Sequence, residues 1–311
     1  MALVGSAVAA ALLIGGWRTF VADHRDGPLW ASSFQDGRWP ASWSPYYARG
    51  AGNATLVPTR DGKVLEVRAP ASNDGFTGPG VLVRSNFSSL GLDPMEDAHL
   101  AYSVFLPGDW RAWAGGKLPG LGGAVGTEVA APGGGEFDGR GWSARLMWRA
   151  ARPGEAPTLQ TYLYVQAAGG TKIDSLRNEQ NGRLYGINIV LRRNAITSGS
   201  ASRSAEPLRL RLGAWNRVEI RTRLNTPGRA DGIFTVWVNG ELGVDLRDVV
   251  YRLPGQADLE VDRLLFDSFY GGPTSNRAPE SWYFDDVVLD DQRHQSDDWR
   301  GRAAPTAGTR D

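Results

Sequence analysis

Ten short runs rich in β-branched and aromatic residues, each closed off by Gly, Pro, Asn or Asp, constrain this chain more than any other feature. They are Val64–Val67, Gly80–Phe87, His99–Leu106, Trp142–Arg149, Leu159–Gln166, Arg183–Leu191, Trp215–Leu224, Ile233–Val238, Leu259–Phe269 and Trp282–Leu289. Such runs predict strands joined by tight turns. No stretch between them combines helical periodicity with capping residues, so the crossover helices of a parallel sheet are missing. The fold class expected is all-β, an antiparallel β-sandwich of jelly-roll type. No repeat recurs at a fixed period, which weighs against a propeller or solenoid. The 40 glycines in 311 residues, against an average usage of about 7%, supply the turns such a fold needs.

The two ends read differently from the middle. Ala2–Gly16 is a 15-residue apolar stretch without a charge, followed by Trp17 and Arg18. A membrane span wants about 20 such residues, so a secretory segment fits better. Residues 1–22 are therefore expected to be a signal peptide or N-terminal membrane anchor, and the protein to be exported. The stretch lacks a basic lead and a clean small-x-small cleavage site, which keeps an uncleaved anchor or a misplaced start codon open. Residues 23–290 form the expected β-domain. Residues 291–311, rich in Arg, Asp, Gly and Ala, read as a disordered polar tail.

Composition removes several chemistries. With no cysteine, disulfides, thiol nucleophiles and Cys–zinc sites are excluded. His24, His99 and His294 lie far apart, so no multi-histidine metal centre is expected. The 34 basic residues balance 34 acidic ones, which leaves no electrostatic footprint for nucleic acid. No cofactor, metal or protein partner is called for. Only Lys63, Lys117 and Lys172 are lysines, so each invites a question.

Alternation along two runs can be read residue by residue. Trp142, Ala144, Leu146 and Trp148 make a core face, with Ser143, Arg145 and Met147 opposite. Leu159, Leu163 and Val165 make a second core face, with Gln160, Tyr162, Tyr164 and Gln166 opposite. A turn near Pro153–Gly154 would place Arg145 across from Tyr162 and Ser143 across from Tyr164. A face of guanidinium, hydroxyl, phenols and amides suits an anionic sugar, because Arg can fork onto a carboxylate and phenols can stack or transfer protons. A solvated sheet face with β-favouring tyrosines is the plainer reading of the same pattern. Ala114–Gly123 reads as a glycine-dense loop around Lys117. It is not a phosphate loop, since Leu118 stands where Ser or Thr should follow the Lys.

Gly115-Gly116-Lys117-Leu118-Pro119-Gly120-Leu121, Ser143-x-Arg145-x-Met147-Trp148, Tyr162-x-Tyr164, Ser268-Phe269-Tyr270-Gly271-Gly272 and Tyr283-Phe284-Asp285-Asp286 occur in this order. Together they resemble polysaccharide lyase family 14 over roughly Phe34 to Leu289. The resemblance implies a β-jelly roll acting as an alginate or glucuronan lyase. It assigns the functional lysine to Lys117, the Ser-x-Arg pair to Ser143 and Arg145, and the Tyr-x-Tyr pair to Tyr162 and Tyr164. A histidine that some members carry before the Ser-x-Arg strand has no counterpart, since Glu136, Phe137 and Asp138 stand there. That departure bears on the pH optimum and the substrate.

Elimination from a 4-linked uronic acid requires three things: neutralising the C5 carboxylate, removing the C5 proton, and protonating the departing O4. Arg145 suits the first, with Ser143 adding a hydrogen bond. Lys117, Tyr162 and Tyr164 compete for the other two. Reference pKa values of about 10.4 for Lys and about 10 for Tyr are high for a base, so burial or a neighbouring cation must lower one. The base is Lys117 or a tyrosine, and a tyrosine is the acid. Gln160 and Gln166 are candidate substrate-binding residues. Asp285 and Asp286, if on a strand, point to opposite faces and suggest a structural role at a sheet edge or a cation. Glu136-Phe137-Asp138 is similar to the opening of a glycoside hydrolase family 16 signature, but no second Glu follows. Two alternatives stay open, a non-catalytic carbohydrate-binding jelly roll and a glycoside hydrolase of similar fold. Product identity separates them.

Overall fold

The computed structural model describes residues 27–71, 80–111, 115–126, 132–133, 138–168, 177–180, 183–193, 205–271, 279–294 and 298–305. The N-terminal apolar stretch, Glu136 and Phe137, and most of the loops 169–181 and 194–206 lie outside them. Among the described residues, sixteen strands run β1 (Trp30–Ser32), β2 (Tyr47–Arg49), β3 (Ala54–Thr59), β4 (Gly62–Ala69), β5 (Gly80–Asn86), β6 (Asp97–Leu106), β7 (Gly116–Ala124) and β8 (Gly141–Arg149), then β9 (Thr158–Tyr164), β10 (Arg177–Gln180), β11 (Arg183–Ile187), β12 (Ala214–Arg223), β13 (Gly232–Val238), β14 (Glu241–Val249), β15 (Arg263–Tyr270) and β16 (Glu280–Asp290). The first sheet has the order β14-β13-β12-β6-β16-β4-β3, with β1 also on β16; the second has the order β10-β11-β9-β8-β7-β15-β5-β2. Every strand pairing is antiparallel. The expected all-β jelly-roll sandwich is what forms. No helix among the described residues is long and apolar enough to cross a membrane.

The core lies between the sheets. Leu100, Tyr102 and Val104 of β6 and Val218 and Ile220 of β12 meet Trp142, Leu146 and Trp148 of β8 and Leu163 of β9. A second apolar cluster, Val64, Phe105, Trp215, Tyr283 and Trp299, sits apart from that core. A third, Met147, Tyr162 and Tyr164, lies on the outer face of the second sheet.

Three expectations need correction. The stretch expected to be a glycine-dense loop around Lys117 is β7, a fully buried central strand between β8 and β15. Its glycines are there because neighbours fill the space. A Cβ on Gly116 would sit 2.3 Å from the Trp148 ring, and one on Gly120 would sit 2.1 Å from the Ala144 carbonyl oxygen. Pro119 occupies a register shift between Leu118 and Leu121, where β7 carries one residue more than β8. The shift lets Leu118 and Leu121 both enter the core, which breaks the alternation a strand reading depends on.

The Asp285–Asp286 pair is not split between faces or placed at an edge. It lies in β16, between β6 and β4, where Asp286 takes a φ of 48° and the register against β6 shifts. Both carboxylates consequently accept hydrogen bonds from Arg302. The third correction is the tail. Residues 298–305 are docked, because Trp299 joins the second cluster, the Trp215 indole donates to the Ala303 carbonyl at 3.0 Å, and Arg302 pairs with Asp285 and Asp286.

Candidate active site

Register brings the predicted residues together. On the β8–β9 pair Arg145 stands opposite Tyr162, Ser143 opposite Tyr164, and Met147 opposite Gln160. On the β7–β8 pair Lys117 stands opposite Met147. The hairpin register expected from Pro153–Gly154 is therefore the one that forms. Because neighbouring strands alternate in phase, Lys117, Ser143, Arg145, Tyr162 and Tyr164 share one face of the sheet, turned away from the core.

Lys117 is 8% exposed. Its Nζ lies 3.1 Å from the Met147 sulfur and 4.2 Å from the centroid of the Tyr162 ring. Burial, then the positive charges of Arg145 and Arg149, lower its pKa from 10.5 to about 7. The requirement that some base be lowered is met at this residue. The Tyr162 and Tyr164 hydroxyls are 2.9 Å apart and share a hydrogen bond. Their rings are nearly perpendicular, with centroids 5.1 Å apart. Gly186 on β11 makes room for them, since a Cβ there would lie 2.7 Å from the Tyr162 ring.

Arg145 is 2% exposed, and its surroundings differ from expectation. Its Nη1 donates to Asp267 Oδ2 at 2.5 Å. Its Nη2 donates to the Pro132 carbonyl at 3.3 Å and lies 3.4 Å from Ser143 Oγ. The Ser143 hydroxyl itself donates to the Pro132 carbonyl at 2.8 Å. Both Nη atoms are thus engaged within the protein, Nε is buried without a partner among the described residues, and a two-pronged grip on a substrate carboxylate through the Nη pair is not how the guanidinium stands. It acts on this face as a fixed positive charge, stacked 4.9 Å from the Tyr162 centroid.

Asp267, on β15, is the residue bound to this face that sequence reasoning missed. Its carboxylate also accepts from Arg84 Nε at 3.0 Å and Arg84 Nη2 at 2.7 Å, so one buried anion bridges two guanidiniums. Burial would raise its pKa, but Arg84 and Arg145 outweigh burial and hold it below the ordinary carboxylate range. The available signal was a lone carboxylate in the apolar run Leu264–Tyr270. Gln160 joins the face, with its Nε2 3.8 Å from the Met147 sulfur. Gln166 lies beyond the end of β9, its Nε2 3.5 Å from the Gly139 carbonyl. The other motif pieces pack the fold. Ser268 Oγ accepts from the Trp282 indole at 2.7 Å, Tyr270 packs edge-on to Trp148, and Phe284 packs on Phe266. Among the described residues no group of His, Asp and Glu side chains could hold a metal ion.

The sandwich sets an amine of lowered pKa, a phenol pair and a fixed guanidinium on one sheet face, groups suited to proton transfer beside an anion. The family model for polysaccharide lyase 14 matches residues 59–287, and the chain belongs to that family. Similar folds include alginate lyase vAL-1 from Chlorella virus (22% identity, TM-score 0.58, covering 80% of this chain and 93% of that one). Another is the marine PL-14 alginate lyase from Aplysia kurodai (19% identity, TM-score 0.61, 85% and 98%). A third is the endo-beta-1,4-glucuronan lyase from the fungus Trichoderma reesei (14% identity, TM-score 0.52, 85% and 95%). No curated protein sequence matches.

Proposed function

We propose that this polysaccharide lyase cuts a 4-linked polyuronate, alginate or glucuronan, by β-elimination on the outer face of β7, β8 and β9. The observation that carries the reading is Lys117, a buried amine with its pKa brought to about 7 beside a hydrogen-bonded phenol pair. The neutral amine takes the C5 proton. The electron pair left at C5 forms the C4–C5 double bond as the C4–O4 bond breaks, and the Tyr162 hydroxyl protonates the departing O4. Charge that builds on the C5 carboxylate lies in the field of Arg145, which Asp267 holds in place. Tyr164 orients the Tyr162 hydroxyl, while Ser143 fixes Arg145 and Gln160 offers its amide to the sugar. The alginate and glucuronan lyases of similar fold support this substrate class. Such polymers lie outside the cell, and the apolar stretch Ala2–Gly16 supports export; its cleavage would be read by N-terminal sequencing of protein secreted from the producing cell.

The test follows ultraviolet absorbance of the unsaturated uronate with polymannuronate, polyguluronate and glucuronan as separate substrates. Wild type should raise the signal on at least one polymer, and folded Lys117→Ala and Tyr162→Phe variants should lose it. New reducing ends without absorbance would indicate hydrolysis, and a flat trace with saturable binding would indicate a binding module.

A further inference from the structure

The outer face of the second sheet does not end at the proposed site. From β7 it runs across β15 and β5 to β2, the last strand in the order, three strand spacings or about 14 Å away. Asp267 of β15 bonds Arg145 on one side and Arg84 of β5 on the other. Arg84 in turn stands opposite Tyr47 of β2, its guanidinium carbon 5.6 Å from that ring's centroid. Tyr47 therefore lies on the same face as Arg145. Arg49, two residues further along β2, shares that face by alternation.

Charge on these strands is one-sided. Strands β7, β15, β5 and β2 hold Lys117, Arg263, Arg84 and Arg49 against one acid, Asp267, which is buried between two guanidiniums. The first sheet, by contrast, carries ten acidic residues on β4, β6, β12, β14 and β16. In a chain whose charges balance overall, that segregation favours an anion on the β7–β2 face. Arg84 is engaged with Asp267, whereas Arg49 is exposed and meets no carboxylate within ion-pair distance among the described residues.

Tyr46 and Tyr47 are two of four large apolar side chains left exposed among the described residues. A sheet edge is ordinarily blunted by charge or proline, so two adjacent phenols there call for another reason. Each ring lies against a cation from the strands beside it, Tyr47 against Arg84 and Tyr46 with its centroid 5.4 Å from the Arg263 guanidinium carbon. Those contacts fix the rings, so little side-chain freedom remains to be lost on binding. A fixed, amphipathic ring offers a surface for the apolar face of a sugar, and a guanidinium beside it can fork onto a carboxylate.

The geometry points to Tyr47 and Arg49 as a distal sugar subsite, where one ring of the uronate chain stacks on Tyr47 and its carboxylate meets Arg49. It rests on the polyuronate reading above and adds a direction, with the chain crossing the strands from β7 toward β2. Only chains long enough to span that distance gain from it. The subsite therefore tightens binding of long chains and leaves the elimination itself untouched.

A size series from trimer to decamer of the uronate that the wild type cuts, assayed with the full-length protein, tests it. Changing Tyr47→Ala and Arg49→Ala together should keep kcat within twofold throughout. KM should match wild type on the trimer and exceed it at least tenfold on the decamer. Tyr47→Trp keeps a stacking ring and should stay near wild type, while Arg49→Lys keeps charge but not the fork and should fall between. Unchanged trimer turnover, with thermal unfolding measured alongside, separates lost binding from lost folding. A KM effect equal at every length, or none at the decamer, would overturn the inference while leaving the lyase reading intact. Isothermal titration in the Lys117→Ala background provides a second arm, with decamannuronate, decaguluronate and decaglucuronate as ligands and neutral cellohexaose as control. The double change should weaken one decauronate at least tenfold, and an equal loss for cellohexaose would overturn the role of charge. Absence of unsaturated product on every polymer, with that tenfold loss still present, would instead remove the lyase reading and keep the subsite.

Discussion

Lys117→Met tests the central electrostatic claim, because methionine keeps an unbranched apolar side chain and removes the titrating group. The fall of the Lys117 pKa from 10.5 to about 7 corresponds to about 5 kcal/mol by which folding disfavours the charged amine. The sign follows from proton linkage. Between pH 7 and 10.5 the unfolded chain binds the proton that the folded chain has lost, so stability rises with pH across that window. The penalty is complete below pH 7 and is relieved as pH approaches 10.5. The face of Tyr162, 4.2 Å from Nζ, favours the charged form and offsets up to about 2 kcal/mol of it. Lys117→Met should therefore be more stable than wild type by about 3–5 kcal/mol at pH 6 and by only about 2 kcal/mol at pH 9. Packing differences between the two side chains do not depend on pH, so the change between the two pH values is the informative quantity. Urea unfolding at both pH values measures it. The wild-type rate of unsaturated product formation should rise through an acidic limb near pH 7. A stability difference equal at pH 6 and pH 9 would show that Lys117 keeps an ordinary amine pKa, and the assignment of the base would fall with it.

Three further outcomes follow from the same face. Asp267→Asn leaves Arg84 and Arg145 without their shared anion in a buried site, and should cost about 3–5 kcal/mol in urea unfolding; a neutral result would mean the bridge does not hold the face together. Gly120→Ala places a Cβ 2.1 Å from the Ala144 carbonyl oxygen, which forces β7 from β8. It should destabilise by about 1–3 kcal/mol and depress turnover, whereas Gly52→Ala, with open space around its Cβ, should change neither by much. Tyr164→Phe removes the 2.9 Å hydrogen bond to Tyr162, worth about 0.5–1.5 kcal/mol. It should slow turnover roughly three- to tenfold while leaving KM near wild type, and an unchanged kcat would show that the phenol pair does not position the proton donor.

The sandwich and much of the site were legible because both rest on alternation. Strands β8 and β9 keep an unbroken period of two, so Arg145, Tyr162 and their neighbours could be assigned to a shared face before any register was known. Where the period breaks, reading fails. Strand β7 hid behind Pro119 and its glycines, since the register shift between Leu118 and Leu121 reverses parity in the middle of the strand. The same cause misplaced Asp285 and Asp286, whose positive φ and shifted register turn both carboxylates toward Arg302. Asp267 was missed for a different reason. Its partners Arg84 and Arg145 lie 183 and 122 residues away in the chain, and no local pattern encodes a contact over such separations.

That long-range bridge explains how the proposed catalytic face can concentrate positive charge without unfolding. Lys117, Arg145 and Arg84 are brought toward one region of the sheet, and three unpaired buried cations there would be prohibitive. Asp267 sits on β15, between β7 and β5, where one carboxylate pairs with both guanidiniums, and burial with the charge of Arg145 lowers the pKa of the lysine. The amine thus becomes the group that relieves the remaining charge. The neutral form that catalysis needs is the form that folding already selects.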